Sequence, residues 1–582
     1  LMRYAMQLCK PMFLDIETNG LDPDTIWVAV TMQDGVVQEH YTPESLTQAL
    51  AGDFKVVGHN LIGFDMPVLW KLWNIYVDKS RIEDTLVMSR LSNPSREGGH
   101  RLSNWGEILN FPKGDYNDWS CLTPEMVKYC IQDVKVTAKA YDKLKLELRK
   151  FSKESIDLEH DVQHIIQKQT KNGWLLDLRH SMELLADLKE TKMKLEWAVH
   201  QNFKPKWVDV KEVTPKIKKD GSLSKVGLTD AEFKKVIESK CMEPFIRREL
   251  KSFNLGSRKQ IGEYLQDFGW KPKKLTPTKQ PIVDEAILSQ VKDIPEAQLI
   301  AEYLMVQKRI AQVFSWVDAA DYGTDRVHGY VNTLGAVTNR MTHSKPNLAQ
   351  VPASYSPYGK DCRQCFIARD GYKLVGFDAS GLELRMLAHY MNDQEYTNEI
   401  LNGDIHTANQ GLAGLESRDQ AKTFIYALLY GAGDAKLGSV AGGGAKLGGE
   451  LKGRFMSNLP AFANLRDSIA REATSGVIKG LDGRVLHIRS EHSALNTLLQ
   501  SAGAIVMKKA LQLLEEYGTL HSLDYYFVGN IHDEVQAEVR SGQEDRYGRL
   551  AVSCLEAAGS FYELNCPLTG EYKVGESWAD TH

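Results

Sequence analysis

The period of apolar and polar positions changes several times along the chain. Residues 535–539, VQAEV, alternate, with Val535, Ala537 and Val539 on one parity, as in a half-buried strand. The run Tyr525, Tyr526, Phe527, Val528 precedes it, so a hairpin is predicted whose connection carries His532, Asp533 and Glu534. "MFLDIETNG" is an apolar run with Asp15 and Glu17 two apart, hence on one face of a strand. "VVGHNLIGFDMPVL" places Asp65 after a second apolar stretch. "YCIQDVKVTAKAYDKL" reads as a helix with Tyr129 and Asp133 four apart on one face. "KLVGFDASGLELRMLAHYM" passes from strand to helix, with Asp378 at the junction and Glu383 in the first turns. In "SRDQAKTFIYALLYGAG" a stripe of Arg418, Lys422, Tyr426 and Tyr430 recurs every four residues until Gly431 and Gly433 stop the helix.

Each acidic signal has a plain reading. Carboxylates are frequent in turns because water solvates them there, and Asp378 is well placed to be an N-cap. The chemical reading is that adjacent carboxylates at a turn repel one another unless a cation sits between them, and a metal site needs a further carboxylate from elsewhere in the fold. Asp378 at a strand end is suited to supply it for the Asp533 and Glu534 hairpin. The stripe on the 418–430 helix sets cations, which suit a triphosphate, in line with rings, which suit a base; a solvated charged face does not explain the rings.

A chain of 582 residues is too long for one core, so several domains are expected. Hydrophobic content of 43% and charged content of 25% are those of a soluble globular protein, and no apolar run is of membrane-spanning length. The opening "LMRYAMQLCKPMFLDIET" lacks the order of a signal peptide and begins with Leu rather than Met. Net charge is −5, but residues 201–280 hold 19 Lys and Arg against 10 Asp and Glu, a local +9 that leaves −14 elsewhere. A basic segment on an acidic protein suits a phosphate backbone, or is a solvated insertion. The eight cysteines are scattered, which fits a reducing, cytoplasmic setting. Cys362 and Cys365 have ligand-like spacing, yet no second pair or His pair matches them as a zinc site.

The Asp-x-Glu strand, the central Asp65 and the Tyr-x-x-x-Asp helix resemble, in order, the three motifs of DnaQ-like (RNase H-like) 3′–5′ exonucleases. The resemblance implies that Asp15, Glu17, Asp65 and Asp133 hold two Mg²⁺ and that Tyr129 orients the attacking water. Asp84, in "DTLVMSRL", resembles a further acidic position of that site. From residue 328 onward, "GAVTNRMTHSKPNLAQVP", "FDASGLELRMLAHYM", "RDQAKTFIYALLYGAG", "LNTLLQSAGA" and "IHDEVQ" resemble, in order, the motifs of family A DNA polymerases, in wording similar to the replicases of T-seven-like podoviruses.

That resemblance implies a multidomain α/β chain: a 3′–5′ exonuclease domain (1–150), a thumb (151–327) with a short basic insertion at about 203–253, a palm in two parts (328–389 and 499–582), and fingers (390–498). It implies that Asp378 and Asp533 carry two Mg²⁺ in the palm while Glu534 supports them. Arg418 and Lys422 then hold the triphosphate, with Lys422 the proton donor to pyrophosphate. Tyr426 packs by the sugar and base, His406 contacts phosphate, and Glu383 blocks a ribose 2′-OH. Arg340 and Gln500 reach the minor groove, where every pair presents acceptors, and His532 lies near the primer terminus. The expected partners are primer-template DNA and deoxynucleoside triphosphates, with host thioredoxin or another processivity factor and a helicase-primase as replisome contacts, in the host cytoplasm for a phage-encoded chain. The insertion is shorter than, and diverges from, the thioredoxin-recruiting pattern.

The Gly-rich "GDAKLGSVAGGGAKLGGE" has no Gly-Lys followed by Ser or Thr, so it is not a P-loop and reads as a flexible connector in the fingers. The length leaves too little room for a preceding 5′-nuclease domain, which favours a replicase over a repair-polymerase fragment. The exonuclease motifs and Glu383 speak against a single-subunit RNA polymerase, and the retained carboxylates against a DNA-binding protein with dead sites.

Overall fold

In the computed structural model, which describes residues 11–581, two sheets carry the acidic segments to their ends. The opening residues and Cys9 lie outside the described part. The first sheet has five strands in the order Val36–His40, Ile26–Gln33, Met12–Thr18, Val56–Gly58, Ile82–Asp84. Its first three strands are antiparallel and the last two run parallel to Met12–Thr18. The long helix Pro124–Glu147 starts at the cap Thr123 and lays Cys130 and Val134 against Val28 and Val30.

The second sheet is antiparallel, in the order Tyr525–Ile531, Glu534–Arg540, Tyr372–Ala379, Gly570–Gly575. The helices Ala494–Leu520 and Glu544–Phe561 cover it through Ile505, Val506, Leu511, Ala551 and Leu555. Both sheets belong to one compact unit, residues 1–177 with 319–582. The helix Lys153–Asn172 joins that unit's core through Leu158, Val162, Ile165 and Ile166, so the second unit begins later than the expected thumb boundary, at Leu178.

The second unit, Leu178–Asp318, contains the helix Leu178–Asn202 and an exposed two-stranded ribbon, Lys206–Val213 with Phe245–Lys251. Phe203, Phe253 and Tyr264 stack beneath the ribbon, with Phe203 and Phe253 centroids 4.5 Å apart. Lys216, Lys218 and Lys219 are exposed near a tight turn closed by Ile217 and Leu223. No helix of the described residues is long and apolar enough to cross a membrane. Among those residues the seven cysteines form no disulfide, and Cys362 and Cys365 belong to no cluster of three metal-ligating side chains.

The Gly-rich segment is not a flexible connector. It folds as two helices, Asp434–Val440 and Ala445–Asn458. The reason is close approach: a Cβ at Gly438 would collide with the carbonyl of Gly444, and one at Gly448 with that of Asp434. Glycine here permits contact between two helices.

A buried ionic node ties three distant segments together. Glu159, on Lys153–Asn172, accepts from Arg484 at 2.7 Å and from Lys508 at 2.7 and 2.8 Å, and Arg484 also grips Asp482 through two nitrogens. Glu159 and Arg484 are fully buried. Burial pulls the Lys508 ammonium down to about 8 against the raising effect of Glu159. Removing one partner from such a cluster leaves uncompensated charge. Glu159→Ala is therefore expected to cost about 3–5 kcal/mol in urea unfolding, with Glu159→Gln milder; a loss under about 1 kcal/mol would show that the two cations find other partners.

Candidate functional site

The end of the second sheet that carries Asp378 and Asp533 assembles first from register. Asp378 pairs directly with Glu534, and the amide of Ala379 donates to the carbonyl of Asp533 at 3.1 Å. His532 and Asp533 form the two-residue connection between paired Ile531 and Glu534. His532 takes φ of +61°, a left-handed backbone that a non-glycine residue adopts at a cost of about 1–3 kcal/mol and that recurs at functional sites. Asp378 is exposed at the strand end and Asp533 half-buried beside it. Burial raises the Asp533 carboxyl, with Arg340 and His532 opposing. The donor set is carboxylate oxygen alone, which fits hard divalent cations.

Glu534 is placed differently from its neighbour. It is buried, and its Oε1 accepts from Trp578 Nε1 at 2.5 Å and Gln536 Nε2 at 2.7 Å. That binding gives it a supporting position beneath the hairpin rather than an open carboxylate.

The helix Arg418–Leu429 begins with a Ser417 capping box completed by Gln420. Ala421, Phe424, Ile425, Leu428 and Leu429 bury one face, which turns Arg418, Lys422 and Tyr426 outward as a stripe. Tyr426 stands between His406 and Tyr430, with ring centroids 6.4 and 6.3 Å away. Tyr430 donates to Glu383 Oε2 at 2.7 Å while Arg340 donates to Glu383 Oε1 at 2.9 Å. Both oxygens of Glu383 are thus fixed by side chains 43 and 47 residues away. Arg340 and His532 also line one small cavity with Ala504, one helical turn beyond Gln500 on Ala494–Leu520.

Two residues here escaped the sequence reading. Tyr430 was visible only as the end of a stripe. Asp404, in the same "GDIHTANQ" as His406, caps the helix Ile405–Ala413 and binds Arg418 Nε at 2.6 Å.

The first sheet builds a denser acidic cluster. Asp15 and Glu17 share a strand face, and one ligand atom from each lies within 4.8 Å of the other and of Cys130 Sγ. Asp65 opens the helix Asp65–Trp73, and its Oδ1 accepts the amide of Ile16, between the two, at 3.2 Å. Asp133 is buried, pairs with Lys113 through Oδ2, and leaves Oδ1 without a hydrogen-bond partner. An orphaned carboxylate oxygen beside further carboxylates fits a missing hard cation. Cys130 donates to Asp15, and burial holds its thiol well above the usual range. Tyr129 packs against Tyr116 and Trp119, both centroids 5.8 Å away. Asp84 does not join the cluster as an open acid: it caps the helix Thr85–Ser92 and accepts the amides of Asn60, Ile62 and Leu86.

Crowding shows in the acidities. Burial first, then Asp133, lifts Asp15 to about 8; burial and Asp15 lift Glu17 to about 10; and burial lifts Asp133 to about 6 despite Lys113. Because these folded-state values exceed the unfolded ones, the folded protein holds more protons from the ordinary carboxylate range up to about 10. The ion-free protein must then lose stability as pH rises through that window. A divalent ion binds the deprotonated form and reverses the loss. The gain in melting temperature from saturating Mg²⁺ is expected to be larger near about pH 8.5 than near about pH 6, and Asp15→Asn should flatten that difference. An equal gain at both values, measured by calorimetry, would contradict the cluster's electrostatics.

Comparison with known proteins gives the family and the fold. The profile described as DNA polymerase family A matches residues 227–580. A DNA-directed DNA polymerase of Escherichia phage T7 is 36% identical across 98% of this chain and 99% of its own. That of Enterobacteria phage T3 is 36% identical across 90% and 92%. DNA polymerase I of Aquifex aeolicus is 26% identical across 97% and 95%. In fold, the POL domain of Pol1 from M. smegmatis, solved with a DNA primer-template and dNTP, superposes with a TM-score of 0.78 over 98% of this chain and 95% of its own at 19% identity. The chain belongs to DNA polymerase family A.

Proposed function

We propose that this chain is a template-directed DNA polymerase of the phage replicative type, extending a primer 3′ end in the palm and removing 3′ nucleotides in the first sheet. The observation that carries the reading is the register placing Asp378 and Asp533 at one sheet end, with Glu383 in the first turn of the following helix. In this family metal ions, Mg²⁺ above all, activate the attacking oxygen and stabilise charge on the phosphate. Asp378 and Asp533 would hold them in the palm; Asp15, Glu17, Asp65 and Asp133 would hold them in the exonuclease cluster, two at each site.

The chain's own residues do the rest. Arg418 and Lys422 offer cations on one helix face to a triphosphate, Arg418 by exchanging Asp404 for phosphate oxygens. Lys422 is the proton donor to the departing pyrophosphate, and His406 borders the same groove. Tyr426 lies where the incoming sugar and base pack. Glu383, braced from both sides, cannot swing away from a 2′-OH. Arg340 and Gln500 supply minor-groove donors that test pair shape without reading sequence, and His532 approaches the primer end. In the exonuclease cluster Tyr129 orients water. A processivity partner, such as thioredoxin, would dock on the 203–253 segment, which exposes Trp207, Ile246 and Leu250 along with the lysines of its basic turn.

Two sets of variants test this. In primer extension with Mg²⁺, Asp533→Asn is expected to abolish synthesis and spare degradation of single-stranded DNA. Asp15→Ala with Glu17→Ala should do the reverse, and parent-rate degradation by that pair would sink the exonuclease assignment. Glu383→Ala should raise ribonucleotide incorporation, and Tyr430→Phe, which removes one brace, should raise it less. Unchanged sugar selectivity in Glu383→Ala would remove this residue from the nucleotide's 2′ side.

A further inference from the structure

The exonuclease cluster contains a cation that its motifs do not include. Lys113 lies in a segment without regular structure, residues 112–119, that folds over the acidic strand. The segment is tied down at both ends, by Gln132 Nε2 to the carbonyl of Pro112 at 2.7 Å and by Trp27 Nε1 to that of Trp119 at 3.1 Å. Between these ties Lys113 reaches inward. Its ammonium pairs with Asp133 Oδ2 and stands 4.5 Å from the ring centroid of Tyr129. The Lys113 side chain is 23% exposed and that of Asp133 4%, so water reaches the pair from the lysine side only. Burial works against the charged ammonium, but Asp133, Tyr129 and Asp15 together raise it above the ordinary lysine value, so it stays protonated.

Formal charge explains why an ammonium belongs there. Asp15, Glu17, Asp65 and Asp133 carry four negative charges when ionised, and the one lysine leaves most of that uncompensated. Asp133 meanwhile divides its oxygens: one is taken by Lys113 and the other is orphaned toward the cluster. A hard cation that draws both oxygens of Asp133 into its reach competes with Lys113 for the same carboxylate.

We propose that Lys113 is a displaceable counter-ion of the exonuclease carboxylates, paired with Asp133 in the metal-free cluster and released from it, while staying over the face of Tyr129, when a divalent cation binds. This rests on the exonuclease reading of the cluster. Lys113 is a positioning residue: it lessens carboxylate repulsion in the ion-free protein and sets the ion concentration at which the cluster fills. The lysine side chain turns about its own bonds, so losing Asp133 needs no backbone movement. The ring of Tyr129, which the ammonium already faces, keeps it at the site after release.

The test is a Mn²⁺ titration of the full chain carrying Asp378→Asn and Asp533→Asn, which removes the palm ligands, with free Mn²⁺ followed by electron paramagnetic resonance. In that background Asp15→Asn reports whether the ions counted belong to the cluster. If it changes nothing, the exonuclease metal reading itself fails. Given that control, Lys113→Met should tighten Mn²⁺ binding on the order of tenfold, because the ion no longer competes with a charge a few ångströms away, while Lys113→Arg should stay near the parent. The melting temperature supplies a second readout. Lys113→Met should melt lower than the parent in chelator and gain more from Mn²⁺. Unchanged or weaker Mn²⁺ binding in Lys113→Met, with the Asp15→Asn control intact, would overturn the proposal and leave Lys113 a fixed part of the site.

Discussion

Strand register is the constraint on which the palm depends. Tyr372–Ala379 is paired on both sides, by Glu534–Arg540 and by Gly570–Gly575, so it cannot slide without breaking two ladders. Side chains alternate with period two, and a slip of one residue would carry Asp378 to the opposite face and away from Asp533. The buried residues of the strand, Leu374, Val375 and Phe377, hold that register by packing. Hydrophobic burial thus fixes where two carboxylates meet, although neither carboxylate contributes to the core.

The two acidic sites solve the same electrostatic problem at different depths. Asp378 and Asp533 lie at an open sheet end, where water moderates their repulsion. The cluster in the first sheet is more deeply buried, and Lys113 offsets its charge only in part, which the raised acidities of Asp15, Glu17 and Asp133 express. Folding energy from the surrounding apolar strands and helix sustains this unfavourable arrangement. A cation bound there would relieve that repulsion, so the strain of the ion-free cluster would become ion affinity.

Between the sites runs a structural spine. The helix Lys153–Asn172 accepts Arg484 and Lys508 on Glu159, and the next residue, His160, accepts the amide of Asp84 at 2.9 Å. Adjacent positions of one helix therefore brace the exonuclease sheet and the long helix bearing Gln500. Buried ion pairs are often neutral for stability compared with apolar packing. Here their geometry fixes which segments meet.

Sequence alone determined whatever depends on near neighbours. The alternation around Asp15 and Glu17 put both on one strand face, and four-residue spacing put Tyr129 with Asp133 and aligned Arg418, Lys422 and Tyr426. The ordered motifs then identified the family. Sequence did not reveal Lys113, Asp404 or the brace from Arg340 and Tyr430 to Glu383, because the partners lie 14 to 47 residues apart and share no periodicity. It also misjudged residues 433–450, where glycine signals flexibility locally but permits helix contact in the fold. Only tertiary packing decided these matters, since a side chain's partner across the fold is chosen by the burial of the elements that carry it, while local spacing records only which face it occupies.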